Sequence, residues 1–107
     1  AGSGSFLLPT LSVGGVGGVM ALASVAPHEL NEIVTSYEKG DTATARDIQV
    51  RLIAPNAAVT SQFGVAGLKA ALDLIGMYGG VPRPPLLPLQ PPQHDELKRI
   101  LEEAALL

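Results

Sequence analysis

Cysteine is absent from the 107 residues, tryptophan is absent too, and aromatic residues make up only 4%. Without thiols there is no disulfide framework and no thiolate metal site. The two histidines, His28 and His94, are too far apart to supply ligand spacing, so no metal is expected. Basic charge is also scarce. Seven Lys and Arg face ten Asp and Glu for a net charge of −3, with no block of either sign. Such a surface offers little to a phosphate backbone, and nucleic acid is not an expected partner. Hydrophobic residues reach 47% with few rings among them. Small apolar side chains must therefore fill the interior, which favours close approach of backbones.

Ser5 to Pro27, SFLLPTLSVGGVGGVMALASVAP, carries no ionisable side chain. Its length is enough to cross a bilayer, and Gly14 and Gly18 form a GxxxG pair. It has no flanking Lys, Arg, Trp or Tyr anchors, and its glycines and Pro9 make a poor helix. A membrane-anchored helical interaction protein is thus the competing reading. In the preferred reading the run divides. Phe6, Leu7, Thr10, Leu11 and Val13 cluster at helical spacing, and Gly14-Gly15 end a short helix. Val19 to Val25 then has the length and continuous apolarity of a strand buried on both faces.

Pro27 opens a helix, with Glu29 and Glu32 near its positive end and Leu30, Ile33, Val34 and Tyr37 as its apolar stripe. Lys39 and Gly40 end it, and Asp41 caps the next helix. A stripe of Ala45, Ile48, Leu52, Val59 and Phe63 follows, with Pro55 inside it as a kink or break. A further helix has Val65, Leu68, Leu72 and Ile75 on its expected buried face. Tyr78 to Pro92 holds six of the nine prolines and is expected to be extended. Pro91-Pro92 opens a last helix, with Leu97, Ile100, Leu101 and Ala104 on one side. A lone strand among helices needs partners on its edges. The sequence supplies none.

Few residues suggest chemistry by themselves. GGVGG matches neither GxGxxG nor GxxxxGK[ST], and it precedes the expected strand. Lys69 could serve as a Schiff-base amine, but it lies on a helix where lysine stems usually cover apolar surface. Arg83 to Leu89 contains PxxP, which could dock an aromatic groove and make the chain an adaptor, or could strap its own protein. Ser3, Ser5 and Ser24 have no base at a triad spacing.

Several blocks taken in order carry a resemblance. GGVGGVMALASVAP, the helix ending KGD, TARDIQVRLI, FGVAGLKAALDLIG and YGGVPRPPLLPL resemble the C-terminal third of the dihydrodipicolinate synthase/N-acetylneuraminate lyase family. Within it, AGSGSFLLP, PNAAVTSQFG and the YGG before the proline-rich strap look most like the 4-hydroxy-2-oxoglutarate aldolase branch. The resemblance implies an α/β fold, the C-terminal fragment of a (β/α)₈ TIM barrel. Residues 1–40 would hold the end of strand 7, helix 7, strand 8 and helix 8. Residues 41–107 would be a helical extension with its strap at 78–92. Such barrels run to ~250 residues, so more than half of the fold is expected outside this stretch.

The resemblance also implies class I aldolase chemistry, in which a lysine forms a Schiff base with pyruvate or another 2-oxo acid. No cofactor is implied. The family's lysine, tyrosine and carboxylate-binding turn fall outside these residues, so no catalytic residue is expected here and the stretch alone is expected to be inactive. Gly2 and Ser3 match the substrate-facing exit of strand 7. Val19 matches the strand-8 residue whose backbone faces the lysine. Ser3 and Gly4 stand where the synthase branch commonly has two acidic residues, which tilts the reading away from dihydrodipicolinate synthesis. The implied partners are a small 2-oxo acid and further copies of the chain in a homotetramer, with neither nucleic acid nor membrane.

Overall fold

The computed structural model describes residues 1–107 and is built from helices and turns, with no β-strand. A 3₁₀ turn at Gly4–Phe6 leads into α1 (Leu7–Ser12), which ends at Gly14 with φ +94°. Only glycine takes that left-handed backbone without steric cost, so α1 stops where the sequence predicts. The longer helices are α2 (Pro27–Glu38), α3 (Thr42–Arg51), α5 (Gly64–Leu74) and α6 (Pro91–Glu103).

Pro27 is the first residue of α2, and Leu30 and Ile33 on its stripe are buried. Gly40, at φ +81°, turns the chain back so that α2 and α3 pack as an antiparallel pair. Asp41 caps α3, accepting the Thr44 N–H at 3.1 Å and the Thr44 hydroxyl at 2.7 Å. Pro55 has no N–H to give the Arg51 carbonyl, and the helix breaks at Leu52 as expected. The short helix α4 (Ile53–Ala57) continues into a π-helical turn at Ala58–Gln62.

Helix α5 differs in detail from the sequence reading. Its buried residues are Gly67 and Ala71, whereas Val65 is exposed. A Cβ at Gly67 would stand 2.8 Å from the Ala58 carbonyl oxygen, so α5 lies against the π turn through its smallest side chain. The segment from Tyr78 to Gln90 is free of helix, as its prolines require, and Leu89 packs back onto the core. Leu97, Ile100, Leu101 and Ala104 are buried along α6. One continuous core joins Leu97, Ile100 and Leu101 to Leu7, Leu11, Leu22, Ile33, Ile48, Leu52 and Val59.

The strand expected at Val19–Val25 is not present. Met20 is extended (φ −147°, ψ 148°), and Ala21–Ser24 winds into a 3₁₀ turn. That turn places Leu22, Val25 and Ala26 in the core, against the π turn and helices α4 and α5. The apolar residues are buried by a turn, because a ladder needs a second strand to bond with and the turn bonds within itself. The extended backbone lies earlier, at Gly15–Met20, where Val16 and Val19 are 97% and 92% exposed. The exit expected as the tip of strand 7 is likewise a turn from Gly4 onwards. Ser5–Pro27 is thus divided among turns, a six-residue helix and extended chain, and no helix is long and apolar enough to cross a membrane.

Candidate functional site

Two segments far apart in sequence meet at the start of the structure. The Ala1 nitrogen donates to the Gly17 carbonyl at 2.7 Å, and the Val19 N–H donates to the Ala1 carbonyl at 2.9 Å. Bonds that straddle one residue in this way are the pattern of a single parallel rung, here between Ala1 and Gly18. Because the two segments run the same way, Gly2-Ser3 and Val19-Met20 leave the rung at the same end. The three residues singled out from the sequence are therefore brought together. Gly2 is exposed, Ser3 is half-buried and Val19 stands open to solvent.

After the rung, the loop is held by two side-chain amides. Gln49 on α3 and Asn56 on α4 are 6% and 5% exposed. Gln49 Nε2 donates to the Gly4 carbonyl at 2.8 Å, and its Oε1 accepts the Leu8 N–H at 2.8 Å. Asn56 Oδ1 accepts the Gly4 N–H at 3.1 Å, while Nδ2 donates to Ser3 Oγ at 2.9 Å. Each amide is oriented by a backbone group that only donates or only accepts, so neither can be reversed. Buried amides unpaired in this interior would each cost about 1–3 kcal/mol. No buried side-chain nitrogen or oxygen is without a partner.

Gly4 is locked by the same contacts. A Cβ there would stand 2.8 Å from Leu22 Cδ2 and 3.0 Å from Asn56 Oδ1. No side chain fits without displacing one of them. The loop thus offers hydroxyls at Ser3 and Ser5 and bare backbone at Gly2, with no carboxylate of its own. Ser3 Oγ and Ser5 Oγ are 3.0 Å apart.

The sequence reading passed over Gln49 and Asn56, yet both lie on the core side of the stripe formed by Ala45, Leu52 and Val59. Two amides seven residues apart on a buried face were the available signal.

Lys69 is occupied elsewhere. Its ammonium donates to the Gly79 carbonyl at 3.0 Å, and Asp73 accepts the Gly79 N–H at 2.7 Å. Together they fasten the proline-rich strap to α5. A groove of about 330 Å³ beside this fastening includes Asp73, Tyr78 and His94 but none of Gly2, Ser3 and Val19. His28 is exposed, His94 is half-buried, and no three His, Asp or Glu residues gather where they could hold a metal ion.

Comparison with known proteins connects this geometry to a family. The chain is 38% identical over 100 residues to a 4-hydroxy-tetrahydrodipicolinate synthase of Nitrobacter hamburgensis, covering 94% of this chain and 34% of that protein. The crystal structure of the dihydrodipicolinate synthase of Cyanidioschyzon merolae with lysine bound superposes at a TM-score of 0.89 with 27% identity, over 100% of this chain and 36% of that one. A prophage protein of the same family from E. coli K12, solved in complex with pyruvate, gives a TM-score of 0.86 with 29% identity, over 99% and 36%. The chain spans about a third of the length of the curated relatives it matches. The family model for dihydrodipicolinate synthetases matches residues 1–104, and the chain belongs to the dihydrodipicolinate synthetase family.

Proposed function

We propose that these residues are the C-terminal portion of a class I, pyruvate-dependent carbon–carbon lyase on a (β/α)₈ barrel. In this reading its substrate is 4-hydroxy-2-oxoglutarate, cleaved to pyruvate and glyoxylate. The observation that carries the reading is the parallel rung at Ala1 and Gly18. It supports Ala1-Gly2 and Gly15–Met20 as neighbouring barrel strands whose C-terminal ends open on the active-site face. Gly2, Ser3 and Val19 line the substrate there. Residues 1–40 close the barrel, and residues 41–107 are the helical extension that holds the exit loop. The working unit is a homotetramer.

Substrate choice follows from the loop's chemistry. A carboxylate pair suits the ammonium group of an amino aldehyde, whereas hydroxyl donors suit a carboxylate or carbonyl oxygen. The loop supplies the hydrogen-bonded hydroxyl pair of Ser3 and Ser5, and Gly4 has no room for an acidic side chain. That favours glyoxylate as the aldehyde partner. The name of the Nitrobacter relative, a 4-hydroxy-tetrahydrodipicolinate synthase, favours a second reading, a synthase-type condensation of pyruvate with an aldehyde.

In either reading the imine-forming lysine lies outside these residues, as the resemblance implies, and Lys69 is spent on the strap. Borohydride added with pyruvate is expected to label a full-length protein and to leave this 107-residue polypeptide unlabelled. Labelling at Lys69 would sink the assignment. Comparing turnover of 4-hydroxy-2-oxoglutarate with condensation of pyruvate and aspartate semialdehyde by the full-length protein separates the two substrates.

A further inference from the structure

The hydrogen-bond arithmetic at Ser3 fixes which hydroxyl of the loop has a proton to offer. Ser3 Oγ accepts from Asn56 Nδ2 at 2.9 Å and from the Ser5 N–H at 3.3 Å. A hydroxyl has one proton and two accepting lone pairs, so Ser3 is left only with its proton. The Asn56 amide cannot turn to relieve this, because its Oδ1 is held by the Gly4 N–H. Ser3 therefore donates to its remaining partner, Ser5 Oγ, at 3.0 Å. Ser5 Oγ is an acceptor in that bond, and its own proton is directed away from Ser3. Ser5 is half-buried and its hydroxyl has no other protein partner.

We propose that Ser5 is a specificity-determining residue of this site, donating its hydroxyl proton to an anionic oxygen of a short oxo-acid substrate. Asn56 is the positioning residue that sets the polarity of the pair. The inference rests on the lyase reading above and adds which side chain recognises the aldehyde-derived half of the substrate. A charged oxygen is the preferred acceptor because Ser3 already polarises Ser5 by donating to it. An ammonium group could use only the one remaining lone pair of Ser5 Oγ and would leave its proton without an acceptor.

The test uses the full-length protein and two readouts. Exchange of pyruvate methyl protons with deuterated water reports imine chemistry without the aldehyde half. Cleavage of 4-hydroxy-2-oxoglutarate reports both halves. Ser5→Ala is expected to lower kcat/KM for cleavage about tenfold more than it lowers exchange, the factor for one lost hydrogen bond to a charged group. Asn56→Asp is expected to do the same. Its carboxylate oxygen in place of Nδ2 accepts the Ser3 proton, Ser5 then turns to donate to Ser3, and the outward donor is lost. Ser5→Thr keeps the hydroxyl and keeps the ratio of the two activities. Equal losses of cleavage and exchange in Ser5→Ala, or an unchanged ratio in Asn56→Asp, overturn the proposal. If the unaltered protein exchanges no pyruvate protons, the lyase reading fails and this one with it. If exchange proceeds and the ratios do not move, only the role of Ser5 fails.

Discussion

The guanidinium of Arg51 donates to the carbonyl oxygen of Ala104 at 2.6 Å, joining the last residue of α3 to the residue that caps α6. Carbonyls at a helix C-terminus have no partner within the helix, and a cation there also meets the negative end of the dipole. Arg51→Met keeps the stem and removes both effects. It is expected to cost about 1.5–3 kcal/mol in denaturant unfolding, the range for a hydrogen bond to a charged group. Arg46 is the control. It pairs with Asp47 at 3.3 Å with both side chains well exposed, and Arg46→Met is expected to change stability by less than about 0.5 kcal/mol.

Two neighbouring glycines of the exit loop are expected to respond differently to the same methyl group. At Gly4 the new Cβ meets Leu22 and Asn56, and Gly4→Ala is expected to cost about 1–3 kcal/mol by overpacking. At Gly2 a Cβ finds nothing within 4 Å, and Gly2→Ala is expected to stay within about 0.5 kcal/mol. Thermal unfolding of the two variants side by side checks the contrast. Equal effects would mean that the Asn56 clamp does not define the loop.

Acid should weaken the α2–α3 turn at one identifiable group. The Thr44 hydroxyl, and after it the Thr44 N–H, hold the Asp41 carboxyl below its ordinary value of 3.8. Because the folded pKa lies below the unfolded one, the cap's contribution is complete above 3.8. It is lost as pH falls through the folded value. Asp41→Asn caps without titrating, so its Tm should fall less steeply than that of the unaltered protein as pH drops below this point. Asp41→Ala should lower Tm at neutral pH, and its deficit should shrink in acid.

Much of the helical architecture was legible because its signals are local. Pro27, Gly40 and Pro91 act through their own backbone and Asp41 through a carboxylate that reaches three residues on, and each marks the boundary it was expected to mark. The stripes of α2 and α6 were legible for the same reason, since burial follows a fixed period. Val19–Val25 was misread because an apolar run fits a doubly buried strand and a core-facing turn equally well. The choice depends on a bonding partner that sequence periodicity does not describe. Val65 was misplaced because α5 packs through Gly67 and Ala71, which contribute little to a hydrophobic stripe.

At the site, Gly2, Ser3 and Val19 came from resemblance, and their proximity depends on a rung spanning sixteen to eighteen positions. Gln49 and Asn56 were missed because their partners lie 41 to 53 residues away. A polar residue on an apolar stripe signals that a partner exists. It does not say where.

That distance sets an order of events during synthesis. The loop of Gly2 to Ser5 leaves the ribosome well before Asn56, which holds it from 52 positions downstream of Gly4. At roughly 5–20 residues per second, the loop waits several seconds, unclamped, for α4 to be made. Any nascent chain stopped before α4 carries every residue of the loop and none of its shape. The exit loop is therefore among the first parts of this stretch to be translated, and it gains its geometry only after the helices that follow.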